Sequence, residues 1–88
     1  MEHSNEKIEA LFELILSLDN MDDCRALFAD MCTRKELEKM AERQYAAKLL
    51  LQGKTYNQVM EVADMSSATL CRVSQCVQYG KGYAKLLK

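Results

Sequence analysis

Apolar residues in this chain recur every three or four positions and nowhere alternate, the mark of amphipathic helices rather than strands. The spacing predicts five helices and a short sixth at the end. The first follows Ser4 and runs to about Leu18, with Ile8, Leu11, Phe12 and Ile15 on one stripe. Asn20 is placed to cap the second. There Asp22 and Asp23 favour the positive end of the helix dipole, and Cys24, Leu27, Phe28 and Met31 form the apolar stripe. The third opens on a capping box, Thr33 with Glu36, and passes through Leu37, Met40, Ala41, Tyr45, Leu49 and Leu50 to a stop at Gly53. At about twenty residues it would span roughly 30 Å. It is apolar on more than one face around Ala46-Ala47-Lys48-Leu49-Leu50-Leu51, more than so short a chain can cover. A partner subunit is the natural cover.

A second capping box, Thr55 with Gln58, opens a short helix from Tyr56 to Val62 with Val59 and Met60 inward. Ala63-Asp64-Met65 breaks the pattern, with Asp64 expected at the left-handed position of the turn, which Asp tolerates. Ser66 caps a fifth helix, Ser67 to about Val77. Leu70, Val73 and Val77 face inward; Ser67, Thr69, Arg72 and Gln75 face the other way. The segment Tyr79-Gly80-Lys81-Gly82-Tyr83 reads as a turn, and Ala84 to Lys88 as a final basic turn of helix. The expected architecture is all-α and a single domain over residues 1–88. Dimerisation helices occupy about 5–52 and a helix-turn-helix about 55–77.

Composition narrows the function classes. With 88 residues, 49% hydrophobic and 28% charged, the chain is globular and long enough for one small domain, which often gains stability by oligomerising. Four cysteines (Cys24, Cys32, Cys71, Cys76) show no CxxC pairing and the single His is His3, so neither zinc nor a disulfide framework is expected; buried reduced thiols are. A lone His at the start of the chain and no Gly-rich phosphate loop leave no basis for catalysis. No apolar run approaches the roughly eighteen residues that span a bilayer, and the acidic start is not a signal peptide, so a cytoplasmic protein is expected. The formal net charge of -1 hides a polarity. Residues 1–30 hold eight acids and two bases, a net of −6, whereas residues 31–88 hold five acids and ten bases, a net of +5. A basic second part suits a polyanionic partner; internal pairing of the charges suits the pattern equally.

Two short capped helices joined by a tight turn make a helix-turn-helix candidate. A DNA major groove admits one α-helix, whose first side chains reach base edges and must be small or polar. Ser67, Ala68 and Thr69 meet that need, and Arg72 one turn on can pair with guanine or clamp a phosphate, with Gln75 beyond it. Lys54, Asn57 and Gln58 at the start of the preceding helix are candidates for phosphate contacts. The same pattern occurs in bundles that bind proteins instead, so a helical interaction module without DNA binding stands as the alternative.

The blocks Cys32-Thr33-Arg34-Lys35-Glu36-Leu37, Met40-Ala41-Glu42-Arg43, Leu49 to Tyr56 and Ser66 to Val73 resemble the tryptophan-repressor-like family, in its YerC/YecD branch, over about residues 10–83. The resemblance implies an intertwined helical homodimer presenting two helix-turn-helix units to double-stranded DNA, in a regulator of transcription that acts as a repressor. It also implies a ligand pocket in which Arg43 and Arg72 match the two arginines that flank an indole, and Thr33 and Thr69 match two threonines. Val73 stands where the repressor has a small Gly, and a branched side chain there overpacks the indole site. No tryptophan cofactor is therefore expected, and a structural pairing of Arg43 with Glu42, Glu38 or a partner chain is the competing role for that arginine. No other small-molecule effector is specified.

Overall fold

The computed structural model describes residues 2–87, and every element among them is a helix. They are α1 (Glu2–Leu16), α2 (Met21–Met31), α3 (Arg34–Leu51), α4 (Tyr56–Val62), α5 (Ser67–Tyr79) and α6 (Gly82–Leu86). The last expected residue of helix, Lys88, lies outside the described residues. The helices divide between two compact units, one up to Arg34 and one from Lys35 onward.

In the first unit α1 ends two residues before Leu18. The Ser17 hydroxyl donates to the Leu14 carbonyl at 2.6 Å, and the Ser17 and Leu18 N–H groups turn to carbonyls of the last turn. These bonds satisfy the free carbonyls and stop the ladder. Asn20 caps α2 as expected: its side-chain oxygen accepts the Asp23 N–H at 2.8 Å while its amide nitrogen donates to Asp19 and Asp23 carboxylates. The expected stripes exist, but none of their described residues is buried in the chain. Leu11 and Ile15 are half-buried, and Phe12 remains 55% exposed.

Among the described residues the buried core lies in the second unit: Ala46 and Ala47 of α3, Val59 of α4, Ala63 after it, and Leu70 and Val73 of α5. Ala46 and Ala47 present only methyl groups, which leaves room for the larger Val59, Leu70 and Val73. Leu49, Leu50, Met60, Met65, Val77, Tyr83 and Leu87 pack around this cluster, so every helix of the unit contributes to it. Gly53 ends α3 at φ 94, the left-handed conformation a Schellman motif requires. Its N–H bonds the Leu50 carbonyl and the Lys54 N–H the Leu49 carbonyl, both at 3.1 Å.

Three expectations change, two in this unit and one that spans both. Asp64 is not left-handed: among the described residues no residue other than Gly has a positive φ. The turn instead reverses through extended backbone at Ala63 (φ -89, ψ 137) and Ser66 (φ -71, ψ 160). α5 continues past Val77 to Tyr79 and α6 begins at Gly82, leaving only Gly80 and Lys81 between them. The stop is at Gly80, whose N–H donates to the Cys76 carbonyl at 2.9 Å. A Cβ built there would lie 2.6 Å from that same oxygen. Finally, the cysteines are free but none is buried; Cys24, Cys32 and Cys76 are half-buried and Cys71 is exposed. A thiol at a helical position follows the face it falls on, and position 71 falls outside the core stripe of α5.

Leu70→Ala should cost about 2–5 kcal/mol, because it removes the largest fully buried side chain from a small core. Urea unfolding at fixed protein concentration measures it; a loss below about 1 kcal/mol would show that Leu70 is not the anchor of α5.

Candidate nucleic-acid interface

Two helix starts, those of α4 and α5, carry most of the predicted contact residues. At the first, the Thr55 hydroxyl accepts the Gln58 N–H at 3.1 Å and the Gln58 side-chain oxygen accepts the Thr55 N–H at 2.9 Å. This reciprocal box fixes the start of α4 and commits the Gln58 oxygen, leaving its amide nitrogen as a donor. Lys54, Asn57 and Gln58 are all exposed. At the second, Ser66 Oγ accepts the Thr69 N–H at 3.2 Å and donates to the Thr69 hydroxyl at 3.0 Å. Thr69 is therefore half-buried and turned toward the cap, whereas Ser67, Ala68, Arg72 and Gln75 stand exposed. Leu70 and Val73, at 0% and 1% exposure, anchor the opposite face. Ala68, Arg72 and Gln75 follow at helical spacing on the outward stripe. Cys71 lies among them, which the reading of the cysteines as core residues missed.

Two long-range hydrogen bonds hold this pair of helices. The Tyr56 hydroxyl, from the first turn of α4, donates to the Ser67 carbonyl in the first turn of α5 at 2.8 Å. The Glu42 carboxylate of α3 accepts the Asp64 N–H of the turn at 3.2 Å. Neither residue was marked as functional by the sequence. Local periodicity carries no signal for a bond across 11 or 22 positions.

Beside the turn lies a cleft of about 410 Å³ lined by Lys39, Glu42, Arg43, Asp64, Met65, Ser66 and Thr69. It brings together Arg43 and Thr69, two of the four expected pocket residues. Arg72 is not on its lining, and Thr33 belongs to the first unit. Val73 points into the core rather than into this space. Lys39 and Glu42 join the cleft because positions 39, 42 and 43 share one face of α3. The Glu42 carboxylate is spent on the turn, which gives it a role other than pairing with Arg43.

A family model described as Trp repressor protein matches residues 6–88. The chain belongs to the Trp repressor family. It is 36% identical over 75 residues to the uncharacterized protein YerC of Bacillus subtilis (strain 168), a match spanning 85% of this chain and 72% of that protein. Among solved structures, a candidate Trp repressor from Staphylococcus aureus superposes with a TM-score of 0.85 at 34% identity, over 93% of this chain and 83% of that one. A TrpR-like protein from Eubacterium eligens ATCC 27750 superposes with a TM-score of 0.84 at 35% identity, over 92% and 84%. The Trp repressor family is a family of regulatory DNA-binding proteins. Among the described residues no helix is long and apolar enough to cross a membrane, and no three His, Cys, Asp or Glu side chains gather as a metal site.

Ser66→Ala should cost about 1 kcal/mol by freeing the Thr69 N–H and its hydroxyl partner. Thermal unfolding followed by circular dichroism measures it, and an unchanged midpoint would show that the cap contributes nothing to α5.

Proposed function

We propose that this chain is a sequence-specific DNA-binding regulator of transcription, a repressor that blocks a two-fold symmetric site as a cytoplasmic homodimer. The observation that carries this reading is the outward stripe of α5. Small residues at its start (Ser67, Ala68) and Arg72 and Gln75 beyond them stand exposed, while Leu70 and Val73 lock the opposite face. In this reading residues 55–77 are the helix-turn-helix. Helix α5 enters the major groove, and Lys54, Asn57 and Gln58 brace α4 on the phosphates. Thr69, turned toward its cap, contributes its remaining surface at the groove wall. Half-sites about 34–36 Å apart are expected, a spacing carried over from helix-turn-helix dimers, the Trp repressor among them.

Dimerisation draws support from the first unit. Ile8, Phe12, Leu16 and Met21 are all more than a third exposed, and α1 and α2 bury no described residue. A second copy would supply the missing cover, with residues at about 5–52 forming the shared helices. Tryptophan is not part of the mechanism in this reading. What supports leaving it out is that Arg43 and Thr69 line the cleft whereas Arg72 does not; Val73 faces the core, so its bulk no longer bears on the question.

Selection of duplexes from a random library at fixed salt, with and without tryptophan, tests the reading. A two-fold symmetric motif should emerge in both arms. Enrichment only with tryptophan would overturn the exclusion of that ligand. No motif in either arm, with binding to protein partners that is indifferent to salt, would favour a helical interaction module. On the selected duplex Arg72→Ala should weaken binding by about 1–3 kcal/mol if Arg72 reads a guanine. A loss equal on all duplexes with a flatter salt dependence would instead place Arg72 on phosphate, and no loss on any duplex would remove it from the interface.

A further inference from the structure

We propose that Tyr56 and Glu42 are positioning residues that set where α5 points, so that discrimination between duplexes depends on two side chains that touch no nucleic acid. The inference rests on the DNA-binding reading and adds the question of what aims the helix. Leu70 and Val73 fix α5 along one line of core contacts. Apolar contact is non-directional, so packing decides which face of α5 turns inward more firmly than it sets the direction of the helix start. The two hydrogen bonds lie off that line, at the start of α5 and in the turn before it.

Each is suited to the task. A carbonyl oxygen has two lone pairs, so Ser67 can serve the helical ladder with one and accept from the Tyr56 hydroxyl with the other. This bond joins the first turns of α4 and α5, the two helix starts that carry the candidate contacts. The Asp64 N–H lies between helices and has no place in either ladder; the Glu42 carboxylate accepts it from α3, with the added strength of a charged acceptor. The turn is thereby pinned to the long helix that carries Ala46 and Ala47. Geometry shows why this matters. Arg72 stands five residues from Ser67, about 7.5 Å along the axis, so a tilt of about 10° at Ser67 moves its backbone by roughly 1 Å. Paired contacts to a base edge need placement within about 0.5 Å. A carboxylate is also ill-suited to phosphate contact, which leaves support of the turn as what Glu42 can contribute.

The test uses the full chain, the duplex it enriches from a random library, and a scrambled duplex of the same composition. Tyr56→Phe keeps the ring and removes only the hydroxyl. It should lower the ratio of affinities, enriched over scrambled, by about three- to tenfold. Affinity for the scrambled duplex, its salt dependence and the thermal midpoint should stay at the parent values. Glu42→Ala should lower the ratio likewise, and Glu42→Gln, whose side-chain oxygen can still accept the Asp64 N–H, should restore most of it. Equal weakening on both duplexes in Tyr56→Phe would make the hydroxyl a direct phosphate contact and overturn the proposal. So would an unchanged ratio in both Tyr56→Phe and Glu42→Ala, or a loss that tracks a lowered midpoint and is not rescued by Glu42→Gln. A parent chain that enriches no duplex would bring down the DNA-binding reading and this proposal with it, an outcome distinct from a discriminating parent with indifferent variants.

Discussion

The second unit depends on a size match: two alanines on α3 leave the space that Val59, Leu70 and Val73 fill. Because Ala46 and Ala47 are fully buried, α4 and α5 can pack against α3 without longer side chains between them. The inward face of α5 determines, by simple helical geometry, which residues are left outside. Arg72 and Gln75 are exposed because Leu70 and Val73 are not. The core and the candidate interface are thus two sides of one helix, and a change in how the first packs would turn the second.

Elements defined by local chemistry were legible in the sequence. Thr55 and Gln58 are three positions apart and satisfy each other's backbone groups, so the bounds Tyr56–Val62 could be read directly. Asn20, Ser66 and Gly53 were legible for the same reason: a cap depends on its immediate neighbours. The outward stripe of α5 followed from the inward one. What was not legible depends on residues far apart in the chain. Asp64 carried the composition of a left-handed turn, but Glu42 holds its N–H from another helix and the turn stays extended on both sides. Tyr56 reads as an ordinary helix residue until its hydroxyl is found on Ser67. Cys71 was taken for core because free thiols usually are, while its place on the helix put it outside. Of the four expected pocket residues, the cleft gathers Arg43 and Thr69, since alignment of residue types carries no information on which way Arg72 faces.

The two units differ in both chemistry and burial. The acidic stretch that ends near residue 30 nearly coincides with the first unit, which ends at Arg34. Large apolar residues are exposed in both units, Leu16 at 85% and Met21 at 62% in the first, Tyr79 at 83% and Leu86 at 78% in the second. The second unit carries the basic excess together with the buried core. What separates the two units is therefore burial and the order of the charges, not the exposure of apolar side chains.

Gly80 shows how a residue with no chemistry of its own can limit change. Gly53 and Gly82 border open space, but at Gly80 the Cys76 carbonyl occupies the place a methyl group would take. Any larger residue brings its Cβ against that backbone oxygen, so the joint between α5 and α6 must shift to admit it. Sequence drift can therefore explore the outward positions of α5 and alter what the helix touches, while the joint at Gly80 stays closed to it as long as the backbone keeps this course.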